Sequence, residues 1–241
     1  RLVAGERVTL TALFDGVRSA AVASAAVTAS GVQPAIMELM DATSLAAVHR
    51  LLSLAAPPAG AAQLTIQTDG PAAADEAHAI AEILRGAGGR VAVAADDVEG
   101  EALLAVRRAI QPARETLGTT LIEDVSVPRS ALPAMFDEIA RIERAYALVI
   151  PTVAHAGDGN LHPNFVFEGP DVPEIVWSAA EDLFRAALAL GGTLTGEHGI
   201  GVLKRRWLAD ELGDDQWRLQ RDIARVFDPL GILNPGKVFA A

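Results

Sequence analysis

Short apolar runs alternate with alanine-rich stretches along the first 95 residues, and short links containing glycine or proline separate them. Apolar runs bounded by turn residues are typical of strands, and longer stretches with apolar residues three or four apart are typical of helices. We expect Asp15 to cap the first helix and Gly31 to end it. The predicted strands are residues 8–14, 35–40, 63–68 and 91–95, and the predicted helices are residues 15–30, 44–54 and 73–85. Repeated strand–helix–strand units with short links predict an α+β fold, with a ferredoxin-like antiparallel sheet layered with helices.

The rest of the chain continues this pattern and then becomes helical. The predicted strands are residues 119–127, 147–154 and 161–167, and the predicted helices are residues 101–117, 129–144, 173–190, 202–212 and 214–227. Pro112 stands inside the first of these helices and predicts a kink or a break there, because proline removes a backbone hydrogen bond. The last two helices predict a helical C-terminal segment after the sheet.

Composition narrows the classes of function. The chain of 241 residues is 51% hydrophobic and has a formal net charge of −11. This charge argues against a nucleic-acid partner, which requires basic surfaces. The absence of cysteine excludes disulfides and thiolate metal ligands, and no apolar run approaches the roughly 18 residues of a membrane span. We expect a compact cytoplasmic domain, with peripheral attachment to the inner face of the membrane as the alternative.

The segment HAGDGNLHPN, residues 155–164, places two histidines on either side of a predicted hairpin turn. Asp158-Gly159 suits the centre of a two-residue type I′ turn, which would set His155 directly opposite His162. Directly opposed residues have Cβ atoms roughly 4.5–5.5 Å apart, which would let two imidazoles hold one ion. Asn164 would share the strand face of His162. The alternative is a hairpin whose histidines face only solvent or each other.

A second glycine-rich segment, GTLTGEHGIG at residues 192–201, supplies an adjacent carboxylate and imidazole in Glu197 and His198. A carboxylate oxygen suits Zn²⁺, Mn²⁺ or Fe²⁺ beside imidazole nitrogens. Two histidines and one carboxylate leave a coordination position open, as catalytic metal sites do. Glycines permit the irregular backbone that both side chains need if they are to reach one site. A plain flexible turn is the alternative.

Three late motifs carry a resemblance to a known family. The motifs are HAGDGNLHPN, GGTLTGEHGIGVLKRRWL (residues 191–208) and FDPLGILNPGKVF (residues 227–239). They resemble the carboxy-terminal domain of FAD-linked 2-hydroxyacid oxidoreductases, the group of the glycolate oxidase D subunit, D-lactate dehydrogenase and D-2-hydroxyglutarate dehydrogenase in the vanillyl-alcohol oxidase superfamily. Residues 14–41 and 122–133 are weaker matches, so the resemblance covers nearly the whole chain.

The resemblance implies a role for each matching residue of the two glycine-rich segments. His155, His162 and Glu197 correspond to metal ligands. His198 corresponds to the catalytic base, a common task of imidazole near neutral pH. Asn164 would contact the substrate near the metal.

A basic residue is also implied at the substrate's carboxylate. Arg107, in LLAVRRAI, matches the family's arginine, although Leu104 replaces the aromatic residue that is usual there. Lys204 and Arg205 could serve in its place, since both can pair with a carboxylate. The alternatives are a surface charge at Arg107 and, for at least two residues of Lys204-Arg205-Arg206, a solvated basic run that opens a helix.

The end of the chain resembles the junction with a flavin domain. Asn234 and Lys237 match a motif close to the flavin, and the alternative is a turn that tethers the last helix. The implied cofactors are FAD, held mainly by another domain, and a divalent metal, with zinc favoured over manganese or iron.

The resemblance implies oxidation of a D-2-hydroxy acid to a 2-keto acid with hydride transfer to FAD. Family members carry an N-terminal FAD-binding domain, and no G-x-G-x-x-G stands at a strand–helix junction here. We therefore expect residues 1–241 to be the substrate (cap) domain of a longer flavoenzyme, redox-inactive by itself. The alternative is a separately encoded subunit with its start trimmed. Its expected partners are a small 2-hydroxy acid, the FAD-binding domain of the parent chain, and an electron acceptor such as oxygen, a quinone, a cytochrome or an electron-transfer flavoprotein.

Two other functions remain open from the residues alone. A His₂Glu site can activate water, which would suit a metal-dependent hydrolase. A non-catalytic interaction subunit would keep the fold and bind neither metal nor hydroxy acid. Within the family, Ile122 or Glu123 occupies the position at which dicarboxylate-specific relatives are expected to place a lysine. This argues against a substrate with a second carboxylate and favours glycolate, lactate or a longer aliphatic hydroxy acid.

Overall fold

The computed structural model describes residues 6–239. The strands are β1 (Arg7–Phe14), β2 (Ile36–Met40), β3 (Ala62–Asp69), β4 (Arg90–Val93), β5 (Thr119–Ile122), β6 (Val125–Ser126), β7 (Thr152–His155) and β8 (Asn160–Phe167). The helices are α1 (Val17–Ala29), α2 (Ala42–Leu51), α3 (Ala73–Gly86), α4 (Asp97–Arg108), α5 (Ile110–Glu115), α6 (Leu132–Tyr146), α7 (Glu174–Ala189) and α8 (Leu208–Phe227).

The strands form one antiparallel sheet in the order β4-β1-β3-β2-β7-β8-β5, and β6 also pairs with β8. The first four strands have the β4-β1-β3-β2 order expected of a ferredoxin-like sheet. The pairing of β2 with β7 continues this sheet into the second half of the chain, so the histidine hairpin lies beside the first-half strands. The predicted α+β fold with an antiparallel sheet is confirmed.

Helices cover the two faces of the sheet unequally. Apolar residues of α1, α3, α6 and α7 pack with one face in the main core. Helices α2, α4 and α5 pack on the opposite face, which has a smaller cluster of buried apolar residues. The alternation in β2 shows how the strands serve both faces, since Met37 and Leu39 enter the main core and Glu38 faces the other side. Polar side chains can therefore gather on this second face without entering the main core.

Several predicted boundaries were wrong for local reasons. Asp15 does not cap α1, whose N-cap is Gly16 without a side-chain hydrogen bond, and Asp15 instead pairs with Arg90 at 2.9 Å. The predicted helix 101–117 breaks at Ala109, three residues before Pro112. Pro112 therefore lies in the first turn of α5, where a missing N–H breaks no helical hydrogen bond.

Two predicted strands and the last helices also differ in extent. The strand predicted over 119–127 forms only β5 and β6, and the arm predicted over 147–154 forms only Thr152–His155. The helix predicted from residue 202 begins at Leu208, after a short 3-10 turn at Arg205–Trp207. The predicted separation of the last two helices corresponds to non-helical backbone at Gly213, inside α8. Among the helices of residues 6–239, none is long and apolar enough to cross a membrane.

Candidate metal centre and active site

The hairpin of β7 and β8 brings two histidines to one face of the sheet. His155 pairs with Asn160 and Val153 pairs with His162, so the predicted register, with His155 opposite His162, was wrong. The turn has four residues, 156–159, instead of two, which displaces the pairing by two positions. Because side chains alternate along a strand, a shift of two keeps both histidines on the same face. Their ring centroids lie 5.2 Å apart.

The loop after α7 carries the second cluster to these histidines. Its start is bound to the sheet by a bridge between Thr193 and Ser126. The loop then passes so close to β8 that a Cβ at Gly196 would lie 2.3 Å from Oδ1 of Asn160. A larger residue at 196 would have to displace the Asn160 amide, and the close approach of the loop places Glu197 and His198 over the hairpin. The glycines around the pair thus allow a close approach of backbone, as expected.

Three potential ligands converge at this point. The Oε1 atom of Glu197 lies 3.2 Å from Nε2 of His162 and 3.5 Å from Nε2 of His155. The ligand atoms of the three residues all lie within 4.8 Å of one another. Zinc–ligand bonds of about 2.0–2.1 Å in tetrahedral geometry place neighbouring ligand atoms roughly 3.3 Å apart. The donor set and its spacing therefore fit a divalent cation.

His198 stands beside this group. Its Nε2 atom lies 3.9 Å from Oε1 of Glu197, and its ring stacks on His162 with centroids 5.0 Å apart. The side chain of His198 is 45% exposed, whereas that of His162 is 12% exposed. His198 is thus the imidazole of the group that is most open to a molecule arriving from solvent.

The carboxylate of Glu38 on β2 contacts Nδ1 of His155, whereas Nε2 of that ring faces Glu197. The carboxylate oxygens of Glu38 lie 2.8 and 3.0 Å from Nδ1 of His155, and Arg107 on α4 donates to Oε1 at 3.2 Å. A carboxylate at Nδ1 fixes the proton on that nitrogen and leaves Nε2 free to coordinate. Arg107, predicted to bind the substrate's carboxylate, thus reaches the cluster through Glu38.

Local charges and burial shift the pKa values of the two hairpin histidines in opposite directions. The hydrogen bond with Glu38 raises the pKa of the His155 imidazole against the opposing effect of burial. Burial lowers the pKa of His162, and the neighbouring His155 lowers it further. Burial alone would raise the pKa of Glu38, but the hydrogen bond and charge of His155, with Arg107, hold it below its ordinary value. Glu38 is therefore held in its ionised form beside His155.

The predicted substrate contact Asn164 is bound within the protein. Its Nδ2 donates to the carbonyl oxygens of Pro151 and His162, and its Oδ1 accepts from Arg114 on α5 at 3.2 Å. Asn164 is only 4% exposed. It lies two residues from His162 on the same strand face, but its side chain fixes local backbone in this structure.

The basic run after the second cluster is not a uniformly solvated surface. Lys204 is buried and donates to the carbonyl oxygens of Asp124 and Leu194, which removes it as an alternative ligand for a substrate carboxylate. Arg205 donates to the carbonyl oxygen of Gly236. Arg206 is exposed and stacks on tryptophan rings.

The C-terminal residues lie in a separate part of the surface. Asn234 has φ +48°, and its carbonyl accepts from the backbone N–H of Lys237. Both residues line a cavity of about 650 Å³ between α8 and the tail. Its lining includes the exposed apolar side chains of Phe227, Leu230 and Leu233. Further exposed apolar side chains of α8 and the tail are those of Leu219, Ile223, Val226 and Ile232.

Sequence reasoning missed two acidic residues that organise this site. Glu38 supports His155, and Asp124 binds the backbone around Glu197. The available signal for Glu38 was a carboxylate in the middle of the apolar strand IMELM, since a buried charge needs a partner. Asp124 likewise stands in the middle of the predicted strand segment LIEDVSV.

Solved structures of other proteins share the fold of this chain. Over 98% of this chain and 53% of the other, the fold matches p-cresol methylhydroxylase with TM-score 0.71 at 12% identity. It also matches 4-ethylphenol oxidase from Gulosibacter chungangensis with TM-score 0.62 at 15% identity, over 97% of this chain and 53% of that one. The fold of this chain is therefore shared with a part of each of these two proteins.

Sequence comparison defines the family more closely. The family described as FAD linked oxidases, C-terminal domain, matches residues 4–238, and the chain belongs to this family. Glycolate oxidase subunit GlcD of Bacillus subtilis is 35% identical over 96% of this chain and 51% of the relative. GlcD of Escherichia coli K12 is 33% identical over 95% and 47%, and the probable mitochondrial D-lactate dehydrogenase of Danio rerio is 31% identical over 93% and 46%. The chain spans about half the length of these relatives, which are named as oxidoreductases.

Proposed function

We propose that this chain is the substrate-binding and catalytic-base domain of a flavin-dependent oxidoreductase that converts a D-2-hydroxy acid to a 2-keto acid. The observation that carries the proposal is the convergence of His155, His162 and Glu197, with His198 beside them. A metal centre with an open position and an adjacent imidazole suits deprotonation of a bound hydroxyl group. The names of the relatives, glycolate oxidase and D-lactate dehydrogenase, agree with this chemistry.

His155, His162 and Glu197 would hold the divalent cation, with zinc favoured and manganese or iron as alternatives. When bound, the cation would supply positive charge that lowers the pKa of the substrate's 2-hydroxyl group and orients the substrate. Glu38 fixes the Nδ1 proton of His155, so that Nε2 is directed to the cation site. Support for the proposal comes from the ligand spacing and from this backing carboxylate.

His198 would take the proton of the substrate hydroxyl. Its ring is exposed and its Nε2 lies 3.9 Å from Glu197, beside the open side of the ligand group. The reaction balances when the hydroxyl proton goes to His198 and C2 loses its hydrogen with two electrons, leaving a C2 carbonyl. FAD, bound by another domain, would supply the acceptor for that hydride.

Arg107 and Asn164 would position the substrate. Glu38 engages one terminal nitrogen of Arg107, and the guanidinium has further donors for a substrate carboxylate. Asn164 would act from the same strand face as His162, through the backbone that it holds in place.

The substrate would carry a single carboxylate. Ile122 pairs with Asn164 in the sheet, and an apolar side chain there offers no charge to a second carboxylate. Glycolate, lactate or a longer aliphatic hydroxy acid fits this environment. The electron acceptor of the complete enzyme would be oxygen, a quinone, a cytochrome or an electron-transfer flavoprotein.

We further propose that the FAD-binding domain belongs to the same parent polypeptide, because the relatives are about twice as long as the matched region. Asn234 and Lys237 would lie near the flavin at the junction. The exposed apolar side chains of α8 and the tail are suited to an interdomain contact, since apolar patches of this kind mark interaction sites. The isolated chain should then neither bind FAD tightly nor reduce it.

Anaerobic reduction of bound FAD in the complete protein tests the proposal. Chelation of the metal, or His198→Ala, should abolish reduction by glycolate and D-lactate while FAD remains bound. The control is His78→Ala, which removes an exposed histidine of α3 outside the site. Unchanged flavin reduction after chelation or in the His198 variant would contradict the proposal. Metal-dependent hydrolysis of an ester without flavin reduction would favour the hydrolase.

A further inference from the structure

Asp124 presents its carboxylate to the backbone of the loop that carries Glu197 and His198. Its Oδ2 accepts from the backbone N–H groups of Gly196, Glu197 and His198 at 3.0, 3.1 and 2.9 Å, and Oδ1 also accepts from Gly196 at 3.0 Å. Successive N–H groups that converge in this way form an anion-binding concavity. Here the anion is a side chain of the protein itself.

Thr195 extends the same network. Its hydroxyl donates to Oδ2 of Asp124 at 2.6 Å and accepts from the backbone N–H of Gly199 at 2.8 Å. The network therefore spans every residue from 195 to 199, on both sides of the Glu197-His198 pair. Hydrogen bonds to an ionised acceptor are stronger than neutral ones, so a glycine-rich segment acquires a fixed conformation.

Asp124 also lies next to the histidine hairpin. Ile122 pairs with Asn164 and Val125 pairs with Leu161, which sets Asp124 across from His162 in the antiparallel register. Directly opposed residues project on the same face of a sheet. One carboxylate thus connects the strand that carries His162 with the loop that carries Glu197.

The positive charge of Lys204 lies near the Asp124 carboxylate. Asp124 is fully buried, and Nζ of the buried Lys204 lies 3.8 Å from Oδ2. Lys204 also donates to the carbonyl oxygens of Asp124 and of Leu194, just before the loop. Lys204 therefore links the backbone at Asp124 to the backbone of the loop at Leu194.

We propose that Asp124 is a positioning residue that fixes Glu197 against His155 and His162 and holds His198 at the open side of the ligand group. This inference rests on the proposed function for the metal centre. Asp124 is not among the three proposed ligands, and it acts through the backbone of the loop. Without this carboxylate, three consecutive N–H groups and a hydroxyl lose their charged acceptor, and the glycines on both sides of the Glu197-His198 pair leave the segment free to move.

Two measurements on the complete protein test this role. In Asp124→Asn, hydrogen–deuterium exchange of peptides covering 192–201 should be at least about tenfold faster in the metal-free protein, because an amide cannot accept at both positions. Zn²⁺ affinity, measured by calorimetry, should fall by about 10–100-fold, as for other residues that support metal ligands. Thr195→Val removes one donor of the network, and its smaller effects should have the same direction if the Asp124 variant folds poorly.

Asp41→Asn is the matched control. The Asp41 carboxylate also accepts two backbone N–H groups, from Ser44 at 2.8 Å and Thr152 at 2.7 Å, but it caps α2. It should leave exchange over 192–201 and Zn²⁺ affinity unchanged.

The outcomes separate this inference from the proposed function. Unchanged exchange over 192–201 in the Asp124 and Thr195 variants would overturn the positioning role, as would faster exchange with Zn²⁺ affinity equal to that of the unsubstituted protein. A loss of affinity in Asp41→Asn as large as in Asp124→Asn would also overturn it. An unsubstituted protein that binds no divalent cation would instead contradict the proposed metal centre, and exchange would still decide whether Asp124 fixes the loop.

Discussion

Glu123 should make the stability of this protein depend on pH in an unusual direction. Its side chain is fully buried, and neither carboxylate oxygen has a hydrogen-bond partner among residues 6–239. Nζ of Lys204 lies 3.6 Å from Oε2, and burial outweighs this charge and raises the pKa of Glu123 from 4.5 to about 7. Replacing the carboxyl group by an amide, in Glu123→Gln, removes the titration and nearly preserves the shape.

The magnitude follows from the difference in pKa between the folded and unfolded states. The rise of the Glu123 pKa from 4.5 to about 7 corresponds to roughly 3 kcal/mol, since each tenfold change in proton affinity is about 1.4 kcal/mol. The folded state holds the proton more tightly than the unfolded chain does. The contribution of Glu123 to the free energy of unfolding is therefore highest below pH 4.5, falls as pH rises, and is lost above about pH 7.

Urea unfolding at pH 5.0 and pH 8.0 measures this contribution. Relative to Glu123→Gln, the free energy of unfolding of the unsubstituted protein should fall by roughly 3 kcal/mol from pH 5.0 to pH 8.0. The fall is somewhat smaller than the full contribution because part of it is already lost at pH 5.0. Comparison with the variant cancels groups that are not coupled to Glu123, such as Glu38, whose lowered pKa acts in the opposite direction at lower pH. The exposed substitution Glu168→Gln is the control and should reproduce the unsubstituted profile. Parallel profiles for the protein and Glu123→Gln would refute the reasoning.

Two further substitutions test the geometry of the site. Glu38→Gln should weaken Zn²⁺ binding by about tenfold, because His155 loses its ionised partner, and unchanged affinity by calorimetry would show that this contact is dispensable. Gly196→Ala would place a Cβ 2.3 Å from Oδ1 of Asn160, so flavin reduction in the complete protein should slow about 10–100-fold as the loop shifts. Gly201→Ala is its control, since a Cβ there meets nothing within 4 Å, and equal rates in the two alanine variants would disprove a steric cause.

Local patterns in the sequence predicted most of the secondary structure. Period-two and helical spacing of apolar residues depends on neighbours within a few positions, so strands such as β1 and helices such as α3 were found nearly to their ends. The break at Ala109 was misplaced because a proline in the first turn of a new helix resembles a proline inside a longer one. The same spacing predicted that His155 and His162 share a face.

The tertiary structure decided how these pieces meet. The hairpin turn proved to have four residues, and the histidines remained together only because the register shifted by an even number. Glu38 reaches His155 through the pairing of β2 with β7, more than 110 residues apart in sequence, and Asp124 holds the Glu197 loop from 73 residues away.

The sequence by itself determined the α+β class and the residue types of a His₂Glu centre, since both are written in short segments. Only the tertiary structure showed that Glu38 and Asp124 support these residues, because such contacts depend on strand order and on packing between distant elements. A buried charge is tolerated where the fold supplies a partner. The sequence alone does not identify that partner, because it depends on how the strands pair.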